Sequence, residues 1–133
     1  MKFIVVSHGS FSKGLADSVQ MLAGKQEDLV TFSLLPNEPT SALSDRLEAE
    51  IKKTQGDVIV FTDLFHGSPF NVAVQLMKEY DFYHITGINV PLLVEAVMQR
   101  SAGASPEAIC EGIINAAAST VVDVKAFLNQ EVS

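Results

Sequence analysis

Two short runs, Phe3-Ile4-Val5-Val6 and Val58-Ile59-Val60-Phe61, set apolar side chains at consecutive positions with no polar residue between them. A strand with one face in water alternates apolar and polar residues. An unbroken run rich in β-branched residues is buried on both faces, as in parallel sheets covered by helices. The first run stops at Ser7-His8-Gly9, just before a helical pattern begins. That puts an imidazole on the turn between a strand and a helix, at the sheet edge where ligands and chemistry gather in open α/β folds.

The remaining pattern agrees. Phe11, Leu15, Val19 and Leu22 keep helical spacing up to Gly24, and Leu29 to Leu34 reads as a second strand. After a Pro36-Asn37-Glu38-Pro39 loop, Thr40 or Ser41 can cap a helix built on Leu43, Leu47 and Ile51, whose charged residues form a solvated face. The third strand, Val58 to Thr62, ends at Asp63, and Ser68-Pro69 opens a third helix with Ser68 as its N-cap. Val72, Ala73, Leu76, Met77 and Tyr80 form that helix's apolar stripe. Phe82 to Ile88 is a fourth strand, followed by a helix through Met98 and a fifth helix from Ser105-Pro106-Glu107 with Ile109, Ile113, Ile114 and Ala117 facing inward. In Thr120 to Phe127, Val122, Val124 and Ala126 alternate with Asp123 and Lys125, which fits an edge strand or an extension of the helix. Strand and helix alternate without an internal repeat or linker, so the expectation is one doubly wound α/β domain over residues 1–133.

The bulk properties narrow the function. A net charge of -7 argues against nucleic acid or an anionic membrane as the main partner. The lone cysteine, Cys110, cannot form an internal disulfide and reads as a small buried hydrophobe. The opening apolar run is too short for a signal-peptide core and no stretch is suited to span a bilayer, so a cytosolic location is expected. The three histidines are scattered and no Cys or His pair has ligand spacing, so neither a metal nor a cofactor is expected.

The chemistry can be built from four residues. In the common doubly wound strand order 2-1-3-4, strands one and three are neighbours, and they end at His8 and Asp63. An imidazole is mostly neutral at pH 7, leaving one ring nitrogen free to attack. A carboxylate on the other nitrogen fixes the tautomer and stabilises the charge that grows as a bond forms. The third helix starts directly after Asp63, so backbone N–H groups at Gly67 and Ser68, with the Ser68 hydroxyl, would meet an anion on His8. Each residue alone has an ordinary structural explanation, and their convergence is what points to a site. His66 reads as an exposed loop residue and His84 as a structural one. Gly9 to Gly14 has P-loop glycine spacing, but Leu15-Ala16 stands where Lys and Ser/Thr are required. With no nucleotide cradle, a phosphoryl donor would be another phosphorylated molecule, such as a protein.

Val5-Val6-Ser7-His8-Gly9, Thr62-Asp63-Leu64-Phe65-His66-Gly67-Ser68-Pro69-Phe70-Asn71 and Gly87-Ile88-Asn89-Val90-Pro91-Leu92-Leu93-Val94-Glu95 together resemble the enzyme IIA component of the mannose family of the bacterial sugar phosphotransferase system. The resemblance covers nearly the whole chain. It implies that His8 is phosphorylated by the phosphocarrier HPr and passes the group to a IIB component, with membrane IIC and IID components downstream. It further implies that Asp63 is the acidic partner of His8, that Ser68 lies near the phosphoryl group, and that the protein is a homodimer exchanging a C-terminal antiparallel strand, here within Thr120 to Phe127. The fold implied is thus a four-stranded, mainly parallel sheet of order 2-1-3-4 with helices on both faces and a C-terminal antiparallel edge strand. His66 stands where the family commonly has Gly, and Leu92 where it has Met. Three other functions share parts of this pattern. The phosphotransfer subunit of dihydroxyacetone kinase uses a similar domain. A histidine phosphatase would need Arg where Ser7 stands. A regulatory module would bind partners according to phosphorylation state.

Overall fold

The computed structural model describes residues 1–132. Its elements are β1 (Lys2–His8), α1 (Phe11–Ala23), β2 (Leu29–Leu34), α2 (Thr40–Lys53), β3 (Val58–Thr62), α3 (Ser68–Leu76), β4 (Tyr83–Thr86), α4 (Val90–Ser101) and α5 (Pro106–Ala116), then a 3-10 turn at Ala117–Ser119 and α6 (Val124–Val132). The strands form one sheet in the order β2-β1-β3-β4, with every neighbouring pair parallel. Strand order and helices on both faces are as expected from the sequence.

The two unbroken runs account for this architecture. Phe3, Val5, Ile59 and Phe61 turn to one face, where Leu15 and Val19 of α1, Leu93 of α4 and Ile109 of α5 cover them. Ile4, Val6, Val58 and Val60 turn to the other, against Leu43 and Leu47 of α2 and Val72 and Leu76 of α3. All eight strand residues are at most 5% exposed. Burying each such side chain stabilises the fold by about 1.5–3 kcal/mol, so both faces of the sheet are committed to helices. The Phe3 and Phe61 rings meet edge to face with centroids 5.3 Å apart.

The N-terminal ends of the strands are tied by charge. Arg100, on the last turn of α4, donates to the carbonyls of Met1, Glu27 and Asp28 and to Gln26 Oε1 at 3.0–3.2 Å, and its guanidinium lies 4.1 Å from the centre of the Phe3 ring. Burial lowers the Arg100 pKa, opposed by the Asp28 charge. On the other face Glu50 is buried. Desolvation works against its ionised form, but hydrogen bonds from Lys2 and Lys53 outweigh it and hold the carboxyl below its usual range.

Four expectations are corrected. The chain from Thr120 forms no edge strand: Val124–Val132 is the helix α6. The physical reason is Asp123, whose Oδ1 accepts the Ala126 N–H at 3.1 Å and whose carbonyl accepts the Phe127 N–H at 2.9 Å. That N-terminal cap outweighs the short two-residue alternation. The N-cap of α3 is Gly67, with Ser68 as the first helical residue and no side-chain cap bond. β4 is shorter than the expected Phe82 to Ile88, because Gly87 turns at φ 82 and Gly87 and Ile88 donate to the Thr62 carbonyl. Ile114 is 63% exposed, since α5 docks through Ile109 and Ile113 and the next residue lies a third of a turn away. No helix among the described residues is long and apolar enough to cross a membrane.

Candidate active site

β1 and β3 run parallel with Val6 opposite Thr62, so His8 and Asp63 leave the sheet side by side at the switch point. The turn after His8 is pinned from several directions. Gly9 takes a left-handed φ of 54 and donates its N–H to the Leu34 carbonyl at 2.8 Å, a conformation glycine adopts without strain. The buried Ser7 Oγ accepts the Ser12 N–H at 2.7 Å, satisfying a free donor at the start of α1. Ser12 Oγ in turn donates to the Phe32 carbonyl at 3.1 Å. His8 is therefore held by its backbone while its side chain stays 46% exposed.

One carboxylate oxygen organises the imidazole. Asp63 Oδ2 accepts the His8 backbone N–H at 2.9 Å and lies 2.9 Å from His8 Nδ1. An ionised carboxylate only accepts, so the ring proton sits on Nδ1 and the lone pair of Nε2 is left free. Asp63 Oδ1 is buried and has no hydrogen-bond partner among the described residues. The carboxylate charge thus acts on His8 from behind, and the opposite nitrogen is a competent nucleophile.

Gly67 closes over the same ring. A Cβ built on it would lie 2.7 Å from His8 Cε1, closer than packed atoms allow, and in van der Waals contact with Nε2 at 3.5 Å. Glycine is needed here for close approach, not for conformation, because φ is an ordinary -82. Its N–H is engaged by the Leu64 carbonyl at 3.2 Å. Among the described residues, the amides at the start of α3 that lack a backbone acceptor are those of Ser68 and Phe70, Pro69 having none. With Pro at the second helical position, this turn presents donors and the positive end of a helix dipole. A cleft of about 340 Å3 between the first turns of α2 and α3 adjoins it, lined by Ser41, Ser44, Ser68, Asn71 and Gln75 among others, and shares Ser68 but not His8.

Residues 2–114 match the EIIA-man family, described as the PTS system fructose IIA component. The chain belongs to this family. It is a IIA component of the mannose and fructose class of the sugar phosphotransferase system. It is 32% identical over 100 residues to the PTS system mannose-specific EIIAB component of Escherichia coli (strain K12), a span of 73% of this chain and 31% of that protein. The chain therefore spans about a third of the length of those mannose-specific relatives. Identity to the PTS system sorbose-specific EIIA component of Lacticaseibacillus casei is 29% over 101 residues, covering 74% of this chain and 72% of that one. The crystal structure of phosphotransferase system component EIIA from Streptococcus agalactiae superposes with a TM-score of 0.86 at 29% identity, covering 94% of this chain and 98% of that chain. These matches do not favour the dihydroxyacetone-kinase or histidine-phosphatase readings.

Within this IIA fold the sequence-derived site residues come together: His8 with Asp63 by hydrogen bonds, and Gly67 against the His8 ring. His66 is exposed and stacked on Phe65 with centroids 3.7 Å apart. Its φ of 67 is left-handed, a conformation glycine adopts without strain. His84 lies in β4, where burial lowers its pKa to about 4 and keeps it neutral. Sequence reasoning missed its partners: Thr62 Oγ1 lies 2.8 Å from His84 Nε2 and donates to Thr86 Oγ1 at 2.8 Å. Their common signal was parity, since Thr62, His84 and Thr86 share one face of neighbouring strands. No three His, Cys, Asp or Glu side chains among the described residues converge as metal ligands.

Proposed function

We propose that Nε2 of His8 accepts a phosphoryl group from phospho-HPr and passes it to a IIB component, which serves membrane IIC and IID components. In the forward step the Nε2 lone pair forms the N–P bond as the donor's N–P bond breaks, and the donor imidazole keeps that electron pair. The Nδ1–H stays on His8, so the ring gains positive charge, which the Asp63 carboxylate stabilises. The oxygens of the transferred group meet the Ser68 hydroxyl and the amides of Ser68 and Phe70, while Gly67 leaves room for them beside the ring. No cofactor takes part. The observation that carries this reading is the 2.9 Å contact between His8 Nδ1 and Asp63 Oδ2 with the other edge of the ring left accessible.

Residues 1–133 act as one IIA unit in the cytoplasm, and the protein works as a homodimer. Val121, Val122, Phe127 and Leu128 are each at least half exposed around α6, apolar area that a second subunit would cover. The test is incubation with phosphoenolpyruvate, enzyme I and HPr. An acid-labile phosphoryl adduct forms on the wild type and is absent from His8→Ala. An adduct of equal yield on His8→Ala refutes the assignment.

A further inference from the structure

We propose that His84 is a positioning residue for His8, bracing both ends of the loop that holds the His8 imidazole. This rests on His8 being the phosphoryl acceptor, and it adds a residue outside the site described above. The loop from Asp63 to Gly67 does two things to that ring. Asp63 hydrogen-bonds Nδ1 at one end, and Gly67 lies over Cε1 at the other. Both ends of the loop lead to His84.

At the first end is Thr62, the residue before Asp63. Thr62 Oγ1 has a single proton and donates it to Thr86 Oγ1. Its 2.8 Å contact with His84 Nε2 therefore runs from an Nε2–H into the Thr62 oxygen. This fixes the His84 tautomer, and the low pKa that burial imposes keeps the ring uncharged. At the second end is Phe70, three residues after Gly67 in α3. Its ring packs on His84 with centroids 5.3 Å apart. The Phe70 ring also receives Phe65 edge-on at 5.2 Å and His66 at 5.4 Å, the two loop residues stacked on each other. His66 sits there in a left-handed conformation that a non-glycine residue adopts only when its surroundings hold it.

One half-buried imidazole thus contacts the residue that precedes the carboxylate and a ring packed on the loop's Phe65 and His66. A core residue that merely filled space would contact neither end in this directional way. The consequence is specific. Loosening His84 lets Asp63 shift relative to Nδ1, so His8 samples the tautomer protonated on Nε2, which cannot attack phosphorus.

The experiment uses the whole chain as His84→Phe, which keeps a ring against Phe70 and cannot donate to Thr62, and as Thr62→Val, which removes the acceptor. The nitrogen-15 shifts of His8 in the unphosphorylated protein are read first, then the rate of phosphorylation by phospho-HPr, with thermal unfolding recorded alongside. The expected result is movement of the His8 nitrogens toward the Nε2-protonated form in both variants, with transfer slower by about ten-fold or more, as small misplacements of reacting groups produce. Folded variants whose His8 shifts match the wild type overturn the proposal. If His84→Phe fails to fold, Thr62→Val decides alone. Absence of phosphorylation in the wild type instead removes the phosphoryl-acceptor reading, while the tautomer measurement still tests the brace.

Discussion

Two N–H groups of His8, one from the backbone and one from the ring, converge on a single oxygen of Asp63, each at 2.9 Å. The pairing ties the orientation of the ring to the position of its own backbone, so the imidazole cannot rotate without breaking its bond to the carboxylate. It keeps the half-exposed imidazole in one tautomer. Replacing Asp63 with Asn puts an amide near Nδ1 that can donate as well as accept, which favours the proton on Nε2. We predict that Asp63→Asn slows phosphoryl transfer from phospho-HPr by up to about 10⁴-fold, the scale on which a wrong tautomer acts. Single-turnover kinetics measure it, and a wild-type rate removes Asp63 from the mechanism.

Gly67 supplies a steric test that is independent of charge. Its backbone angle suits alanine, but a Cβ would lie 2.7 Å from His8 Cε1. Gly67→Ala is therefore expected to push the imidazole aside and slow transfer by about ten-fold or more. Its unfolding midpoint should remain close to the wild type. Rate and stability falling together through general unfolding would contradict this account of the glycine.

Arg100 lies at the opposite ends of the strands from His8 and contacts three carbonyls, an amide oxygen and the Phe3 ring. Removing it breaks four charge-assisted hydrogen bonds and takes the cation from the Phe3 ring. Arg100→Ala should cost about 2–4 kcal/mol of stability, measured by urea unfolding. Phosphorylation of the protein that remains folded should be unchanged.

The pH dependence of stability has two windows. His84 has a folded pKa near 4 against an unfolded value near 6.5, because burial disfavours its charged form. Below about pH 6.5 the unfolded chain takes up a proton that the folded chain refuses, so stability declines as the pH falls from 6.5 toward 4. Glu50, held below its usual range by Lys2 and Lys53 against the cost of burial, adds a second loss as the pH falls below about 4.5. In His84→Phe the decline in the upper window should flatten and the lower one should persist. Thermal unfolding followed across the range checks both.

Strand order and the meeting of His8 with Asp63 were legible in the sequence because they depend on strong local signals. Unbroken apolar runs such as Phe3 to Val6 admit few other environments, and a polar residue at the end of each run had to emerge at the switch point. Weaker signals competed at the tail. The alternation of Val122, Val124 and Ala126 suggested a strand, while Asp123 as a helix cap worked through a single hydrogen bond to Ala126 and was harder to weigh. Ser68 before Pro69 looked like a cap, yet the chain places Gly67 there because close packing against His8 sets the loop geometry. The contacts of His84 could not be read from local pattern, since they join β4 to β3 and α3 across more than ten residues of sequence.

The most direct measurement is the position of the phosphoryl group on His8 itself. Protein labelled with nitrogen-15 is phosphorylated through HPr, and the nitrogen coupled to phosphorus-31 is identified by NMR. The account predicts coupling to Nε2 of His8, with Nδ1 still protonated toward Asp63. Phosphorus on Nδ1, or on another residue such as His66, would contradict it.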